Sequence, residues 1–451
     1  MTAESSNSYR PDPSPEDLHA PSPASDTVGV RPPSITAEAL LLARIRAVGY
    51  APSTVGDGTL HAAARVAAAT DRRPIETGDP STIERIVVLG WVDGASPDPD
   101  RHPSAPPRHL SAVPYLAWAA CLAMAWPDPA ADPYPGRPFR REDILRTCVE
   151  LGAPHNAVAG ALDTILPSTG LVSFVNGRGM LGPAAAALPE DTWSQLRRVH
   201  ERLPHRGAVE ASAQLGADRG QEGTAPGAGP RKISGPPARP HNFNETAVSS
   251  VVAALECAQG PVARADLPML ADPAIRAAVT AALSAGGRAL VDVVGGGWTT
   301  GYSDAVASAL ADNRWGTLTT HERAVLALVL LRTVAIPRAR GAHEDDRWTT
   351  SAHTTSLDEL AKNRQISKAI ISDALRGLRN KGFVALASTG GYIPGPALGR
   401  ITPRLRTMLW EDLVLLGRPN GCMATRIRQQ RERIATSGSG PAAGQPNEER
   451  A

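Results

Sequence analysis

The charge pattern with the clearest chemical meaning in this sequence lies between residues 356 and 382. Six cations occur there against three anions. The cations are Lys362, Arg364, Lys368, Arg376, Arg379 and Lys381, and the anions are Asp358, Glu359 and Asp373. The stretch holds three of the four lysines in a chain whose basic residues are otherwise arginines. Such an excess of Lys and Arg on one element is suited to contacts with phosphate groups.

A helix beginning at about Ser367 is predicted to position these cations. Apolar residues recur at i, i+3, i+4 and i+7, which places them on one face of a helix that ends at Gly382. These apolar residues are Ile371, Ala374, Leu375 and Leu378. With that face in the core, the polar residues of helix 367–381 point outward, and they include Lys368, Ser372, Arg376 and Arg379.

The sequence also predicts the secondary-structure elements on either side of this helix. Ser356 followed by Glu359 is the pattern of a capping box and predicts a short helix. Residues 321–334 have helical spacing, and the apolar stretches 383–386 and 391–393 predict a β-hairpin that turns at 388–390. A helix, two shorter helices and a hairpin are therefore expected in that order.

The stretch SLDELAKNRQISKAIISDALRGLRNKGFV resembles the core of winged helix-turn-helix regulators of the MarR and GntR type. The resemblance covers residues 356–384 directly and 319–398 with the flanking elements. It implies that Ser367, Lys368, Ser372 and Arg376 approach the major groove of double-stranded DNA. It also implies that Arg364 and Gln365, in the turn, reach phosphates or bases, with Arg379 and Lys381 adding charge. The wing tip, 388–391, contains no Arg, which argues against a strong contact with the minor groove.

Asp373 departs from this family pattern, because regulators of this type often carry Arg or another donor there. A carboxylate on the groove face opposes phosphate, although it can accept from cytosine N4. It can also pair with Arg376 on the same helix. The alternative interpretation of the whole stretch is a solvated helix face on a protein-binding winged helix.

The same plan of three helices and a hairpin is predicted elsewhere in the chain. Residues 110–188 share with 382–397 a Gly-Leu/Phe-Val sequence, a glycine turn and a later Gly-Pro-Ala. A further copy is predicted at 244–310, with its middle helix at 264–270. A weaker one is predicted at 34–93, with its third helix at 81–89. The predicted fold class is mainly α with small β-hairpin wings, as tandem winged helix-turn-helix units.

Composition divides the chain into folded blocks and linkers. Gly and Pro number 41 each, and they concentrate outside the periodic stretches. We expect a disordered tail at 1–33, an N-terminal block of two units at 34–203, a flexible linker at 204–241 and a unit at 242–315. The DNA-binding domain with a C-terminal helix follows at 316–434, and a disordered tail at 435–451.

Catalysis is not expected. The sequence has no GxxxxGK, HExxH or GxSxG motif, and its four cysteines include no CxxC pair. The acidic cluster 343–346 is interpreted as a solvated turn, and no metal or cofactor is predicted. The N-terminus lacks the features of a signal peptide, and the apolar run 110–126 is interpreted as a buried core helix. A cytoplasmic, nucleoid-associated protein is expected.

The leading hypothesis is a DNA-binding transcriptional regulator that reads the major groove with helix 367–381. One alternative is a plasmid or phage replication or partition protein. Another is a winged-helix interaction scaffold of the condensin-accessory type, because the third helices of the other predicted units offer few cations. Helix 402–416 is interpreted either as a homodimer interface or as a helix packed on its own domain. The basic run 426–433 either touches DNA or is a soluble tail.

Overall fold

A computed structural model describes residues 35–78, 84–93, 110–175, 177–204, 231–232, 243–293, 296–340, 348, 352–362 and 364–438. The predicted tail 1–33, nearly all of the linker 204–241, the acidic cluster 343–346 and residues 439–451 lie outside these ranges. The described chain is mainly helical with small antiparallel sheets. Four segments are described below, residues 35–93, 110–204, 243–315 and 316–438.

The first segment contains two helices and an antiparallel sheet. Its elements are α1 (Ala37–Val48), β1 (Ala51–Pro52), α2 (Asp57–Ala68), β2 (Arg72–Gly78) and β3 (Arg85–Trp91). Thr36 caps α1, and Leu42, Ile45 and Leu60 form the core with the inner face of β3. A further short strand, β7 (Arg231–Lys232), lies at the outer edge of β2, although the sequence predicts a flexible linker there.

The helix predicted at 81–89 is wrong, because the described part of that stretch is strand β3. Ile86, Val87, Val88 and Leu89 form a continuous apolar run, and all four are buried. Val87 and Leu89 pack on one face of β3 against the core of α1 and α2, whereas Ile86 and Val88 pack on the other face with Ile75 and Ala187, so both faces are covered. A strand buried on both faces loses the alternation that distinguishes it from a buried helix in sequence.

The second segment packs its helices around tryptophan-rich apolar residues. Its elements are α3 (Ala112–Ala125), β4 (Phe139–Arg140), α4 (Arg141–Glu150), α5 (His155–Gly160), a π-helical turn (Ala161–Ile165), α6 (Leu166–Ser168), β5 (Val172–Val175), β6 (Arg178–Leu181), α7 (Pro183–Ala186) and α8 (Glu190–Arg198). The core includes Trp126, Ile144 and Leu162. The prediction of a core helix is confirmed by α3, and no helix among the described residues is both long and apolar enough to cross a membrane.

The third segment has the predicted first helix, last helix and hairpin. Its elements are α9 (Phe243–Cys257), α10 (Pro273–Ala285), β8 (Arg288–Val293), β9 (Gly297–Tyr302) and α11 (Asp304–Asp312). The predicted helix at 264–270 is instead two 3-10 turns, Arg264–Asp266 and Pro268–Ala271. Pro268 interrupts it, because proline has no N–H for a continuing helical ladder.

The fourth segment contains the predicted DNA-binding elements. They are α12 (Thr320–Leu330), a π-helical turn (Leu331–Ala335), α13 (Ile336–Ala339), α14 (Leu357–Ala361), α15 (Lys368–Asn380), β10 (Val384–Leu386), β11 (Tyr392–Pro394), a 3-10 turn (Pro396–Arg400), α16 (Pro403–Gly417) and α17 (Cys422–Gly438). The helix α17 continues through residues 435–438, where the sequence predicts a disordered tail.

One order of strand pairing recurs in all four segments. A short extended stretch precedes the helices that lead into the hairpin. It pairs with the second strand of the hairpin, and that strand also pairs with the first strand of the hairpin. In the first two segments this stretch is β1 or β4. In the third it is a single bridge from Val262 to Trp298, and in the fourth a bridge from Thr355 to Tyr392. In the described part of the chain, the first segment has two helices before its hairpin, whereas the second and fourth segments each have four, counting the short helices α6 and α13.

The shared glycines in the second and fourth segments have a common structural cause. Gly382 follows α15 with a φ of 75°, and its carbonyl accepts the N–H of Ala397 at 3.0 Å. Gly170 follows α6 with a φ of 71°, and its carbonyl accepts the N–H of Ala184 at 2.9 Å. In the fourth segment Gly395 passes so close to Gly382 that a side chain there would clash with the Gly382 carbonyl. Only glycine fits such an approach without strain.

Candidate nucleic-acid interface

The helix α15 is held by its apolar face and by a hydrogen bond at its start. Ser367 is the N-cap, and its hydroxyl accepts the N–H of Ile370 at 3.4 Å. The predicted apolar face is confirmed, since Ile371, Ala374, Leu375 and Leu378 are all buried. The opposite face is therefore presented to solvent.

The shorter helix α14 packs against α15 and begins with the predicted capping box. The Ser356 hydroxyl accepts the N–H of Glu359 at 3.2 Å, and the Glu359 carboxylate accepts the N–H of Ser356 at 2.9 Å. The hydrogen bond from the Ser356 backbone holds the pKa of Glu359 below its ordinary value. Both orphan N–H groups at this helix start are thereby satisfied.

The turn between α14 and α15 exposes two of the predicted site residues. Arg364 adopts a left-handed conformation, with a φ of 57°. Its N–H donates to the Ala361 carbonyl at 3.2 Å, and its side chain is exposed. Gln365 is exposed beside it. Both side chains lie just before the N-terminus of α15, where the helix dipole favours anions.

Three of the six cations of this stretch are engaged in ion pairs. The Lys368 Nζ lies 2.6 Å from the Asp358 carboxylate, and this lysine is the main cause of the lowered pKa of Asp358. Arg376 lies 3.2 Å from Asp373, as the spacing on one helix predicts. Both pairs are well exposed to solvent. Exposed pairs of this kind contribute little to stability, so a phosphate can replace the acidic partner at little cost.

The third pair is different because it joins two helices. The Lys381 Nζ donates to both carboxylate oxygens of Glu322, each at 2.8 Å, and the Glu322 side chain is only 8% exposed. Although partial burial opposes ionisation, hydrogen bonds from Lys381 and from the Thr319 N–H hold the pKa of Glu322 below its ordinary value. Gly377 leaves room for this carboxylate, because an added Cβ at that position would lie 2.5 Å from Glu322 Oε1. Lys381 thus ties the end of α15 to the start of α12.

The other three cations have no ion-pair partner among the described residues. They are Lys362 and Arg364, before α15, and Arg379, near its end. All three are exposed, as is Arg376, whereas Ser372 is half-buried between them. Lys368, Ser372, Arg376 and Arg379 therefore lie on the side of α15 opposite its buried apolar face, whereas Lys381 points to α12. Among the described residues, cations without an ion-pair partner lie at both ends of α15.

The hairpin beside α15 carries little charge. β10 and β11 pair in register from Val384 with Pro394 to Leu386 with Tyr392. The tip is closed by Gly390 and Gly391, both with positive φ, and a hydrogen bond of 3.0 Å from the Ala387 N–H to the Gly391 carbonyl. The tip is largely exposed and neutral.

The corresponding helices of the second and third segments have no comparable free charge. In the second segment, Asp163 in the π-helical turn is held by Arg141 of α4 through two hydrogen bonds of 2.7 Å. In the third, Arg276 of α10 donates to the Leu270 carbonyl at 3.3 Å. In both segments the charged side chain of the corresponding helix is therefore bonded to a partner in its own segment.

The C-terminal helices fold back on each other. Arg431 of α17 pairs with Glu411 and Asp412 of α16, each at 2.8 Å. α16 starts at the predicted cap, since the Thr402 hydroxyl accepts the Leu405 N–H at 3.3 Å. It buries Leu413 against the fourth segment's own core, although Met408 and Leu416 stay exposed. The remaining arginines of the basic run, Arg426, Arg428 and Arg433, are exposed.

Comparison with known proteins finds no matching family model, no matching curated protein and no matching solved structure. Function therefore has to be inferred from the residues of this chain. Helical spacing in the sequence predicted the exposed cations, but it did not predict the ion pair between Lys381 and Glu322. No local pattern connects two residues that are 59 positions apart.

Proposed function

We propose that this protein binds double-stranded DNA through the fourth segment, as a winged helix-turn-helix domain with α15 in the major groove. The observation that carries the proposal is the exposed polar face of α15, flanked by Lys362, Arg364 and Arg379, which have no ion-pair partner among the described residues. A helix that enters a groove needs donors for base edges and cations for the flanking phosphates.

The roles follow from where the side chains lie. Ser367, Lys368, Ser372 and Arg376 are on or next to the exposed side of α15, and they would face the bases. Arg364, Gln365 and Arg379 lie at its two ends and would contact phosphates. On binding, Lys368 and Arg376 would exchange Asp358 and Asp373 for DNA, and Asp373 would be free to accept from cytosine N4.

We further propose that the other three segments are winged-helix units that do not read DNA. Support comes from the recurring strand order and from the matched glycine pairs in the second and fourth segments. The simplest role for the whole chain is a nucleoid-associated transcriptional regulator in which only the fourth segment recognises a DNA sequence. The exposed apolar side chains of α16 would then form a homodimer contact. A replication or partition protein would use the same DNA contact.

A second candidate function, an interaction scaffold of the condensin-accessory type, is favoured by one observation. The charged groups of α10 and of the π-helical turn after α5 are held within their own segments. In a protein whose winged-helix units mainly bind other proteins, we would expect the charged groups of every unit, including those of α15, to be held by contacts within their own segment. DNA is favoured because Lys362, Arg364 and Arg379 have no ion-pair partner in the part of the chain that the structure describes.

Binding of a fluorescent duplex over a range of salt concentrations tests the proposal. We expect log K to fall steeply with log salt, by about 0.9 for each phosphate contact. The Lys368→Ala/Arg376→Ala double variant should lose at least tenfold in affinity. The matched control is Arg141→Ala/Arg146→Ala, which removes two ion-paired cations from α4 and should bind as the wild type does.

Two results would count against DNA binding by α15. One is absence of binding at low salt. The other is equal affinity of the wild type and the Lys368→Ala/Arg376→Ala variant, which would move the DNA contact elsewhere on the chain. Binding of another protein by the wild type, with no duplex binding, would favour the scaffold.

A further inference from the structure

Four arginines from three segments surround one buried carboxylate, away from α15. Arg46 of α1 lies 3.0 Å from Glu256 of α9, and Arg72 of β2 lies 3.9 Å from its other oxygen. Arg288 of β8 and Arg400 of the last 3-10 turn act electrostatically on the same carboxylate. We call Arg46, Arg72, Arg288 and Arg400 the arginine cluster.

The arginine cluster is buried, and its hydrogen bonds are incomplete. Arg288 is only 7% exposed, and the Glu256 side chain 8%. Each guanidinium donates to a neutral oxygen: Arg46 to Gly286, Arg72 to Leu89, Arg288 to Thr300 and Arg400 to Ala258. The Nε atoms of Arg46, Arg72 and Arg288 are nevertheless buried, with no hydrogen-bond partner among the described residues.

The charges of the arginine cluster do not balance. Glu256 is the carboxylate that acts most strongly on Arg72, Arg288 and Arg400, and no other described carboxylate forms an ion pair with the arginine cluster. Burial lowers the pKa of Arg72 to about 10, which leaves it a cation at neutral pH. Arg72 stacks on Trp91 at 4.0 Å and Arg288 on Tyr302 at 5.0 Å, but an aromatic ring supplies no negative charge. Buried charge without a counter-ion is costly, so an excess of three cations calls for an anion.

A narrow cleft between the first and third segments is lined by two of the four arginines, Arg46 and Arg288, and by Glu256. Its walls also include Thr70 and Gly286. In this conformation the walls leave no room for even a water-sized sphere. An anion bound here would therefore have to take the place that the Glu256 carboxylate now holds.

We propose that the arginine cluster binds a phosphate-bearing anion, which replaces Glu256 as the counter-ion of Arg46 and Arg288. Guanidinium groups match the planar, bidentate geometry of phosphate oxygens, and hydroxyl and backbone groups beside them complete such sites. Inorganic phosphate and the phosphate of a small organic ligand share this chemistry. The site is independent of the proposed DNA contact, because none of its residues lies in the stretch 356–382.

Calorimetric titration of the full chain with inorganic phosphate, at constant ionic strength, tests the proposal. We expect saturable binding and, at saturating low-millimolar phosphate, a rise in melting temperature of roughly 2 °C. Low concentrations keep the general stabilising effect of phosphate salts small. Parallel titrations with a nucleoside monophosphate and a sugar phosphate distinguish an organic ligand, which should bind more tightly than phosphate.

Two variants locate the site. Arg46→Met should abolish phosphate binding, whereas Arg264→Met should retain it. Arg264 is the matched control, because it too pairs with a carboxylate, Asp292, and stacks on a ring, Trp298, but it is exposed. Glu256→Gln removes the competing carboxylate and should bind phosphate about tenfold more tightly than the wild type, even if Arg46→Met does not fold.

Three results overturn the proposal. The first is no saturable binding of phosphate to the wild type. The second is the same gain in melting temperature with sodium chloride at equal ionic strength. The third is weaker binding by Glu256→Gln than by the wild type, or equal binding by Arg46→Met, either of which places the phosphate elsewhere.

Discussion

Two neighbouring cations at the end of α15 show how differently one charge can be used. Arg379 is exposed, and no ion pair holds it among the described residues. Lys381 is bound to both oxygens of the largely buried Glu322. Removal of each should therefore affect a different property of the protein, although the two residues are two positions apart.

Lys381→Ala should destabilise the fourth segment by about 1 kcal/mol, because Glu322 loses its charged partner while the lysine end of the pair is already partly solvated. Urea unfolding at neutral pH measures this. The pKa of Glu322 is lowered in the folded protein, so the stabilisation is present above its ordinary pKa and is lost as pH falls through the lowered value. The difference between variant and wild type should therefore shrink in acid.

Arg379→Ala is the matched control for that experiment, and it should leave the free energy of unfolding nearly unchanged. It should instead reduce the salt slope of duplex binding by about one, because one phosphate contact is lost. Equal loss of stability in both variants would contradict the division of roles between Lys381 and Arg379.

At the scale of the element, the close approach of two backbone stretches fixes the base of the hairpin. The Gly395 N–H donates to the Phe383 carbonyl at 2.8 Å, and an added Cβ at Gly395 would lie 2.7 Å from the Val384 nitrogen. Gly182 approaches Gly170 in the same way in the second segment, and its N–H donates to the Leu171 carbonyl at 2.8 Å.

Gly395→Ala should lower the free energy of local opening around 383–397 by about 2 kcal/mol, because backbone rather than a flexible side chain must move. Hydrogen exchange of peptides from this region measures the change. Gly182→Ala should have a similar effect in the second segment. In contrast, Gly160→Ala, with nothing within 4 Å of the new Cβ in α5, should be neutral or slightly stabilising. An unchanged hydrogen-exchange rate in Gly395→Ala would contradict the close backbone approach between Gly395 and Gly382.

The spacing of apolar residues in the sequence was sufficient to predict the elements that have one apolar face. Helices α12, α14 and α15 and both strands of the last hairpin lie where periodicity and capping residues predict them. It failed for β3, which is apolar on both faces, and for 264–270, where a proline breaks the helical ladder. The short strand β7 has only two residues, too few for any period to show.

At the scale of the whole molecule, the segments are joined by buried polar contacts as well as by apolar ones. Glu256 and Arg46 connect the third segment to the first, and Arg400 donates to Ala258 at 2.6 Å to connect the fourth to the third. Thr402, the cap of α16, donates to Asp304 of α11. Such contacts between distant positions depend on the folded arrangement, so no pattern in the sequence could have predicted the arginine cluster.

Glu256→Gln in phosphate-free buffer should destabilise the protein by about 3 kcal/mol, because the arginine cluster loses its only described carboxylate. Arginines Arg46 and Arg72 hold the pKa of Glu256 below its ordinary value despite its burial. Its contribution is therefore present above its ordinary pKa of 4.5 and is lost as pH falls through the lowered value, where wild type and variant should converge. Urea unfolding at several pH values measures both effects.

The control for this prediction is Asp292→Asn, which breaks the exposed pair with Arg264 and should change stability by less than about 1 kcal/mol. A loss for Glu256→Gln as small as that of the control would mean that the segments are held together without the buried carboxylate.

The central claim, that α15 reads DNA, is tested most directly by selection of duplexes from a random pool with the purified full chain. The account predicts that the wild type enriches one sequence motif and that the Lys368→Ala/Arg376→Ala variant enriches none, while Arg141→Ala/Arg146→Ala selects the wild-type motif. Enrichment of the same motif by the Lys368→Ala/Arg376→Ala variant, or of no motif by the wild type, would contradict it.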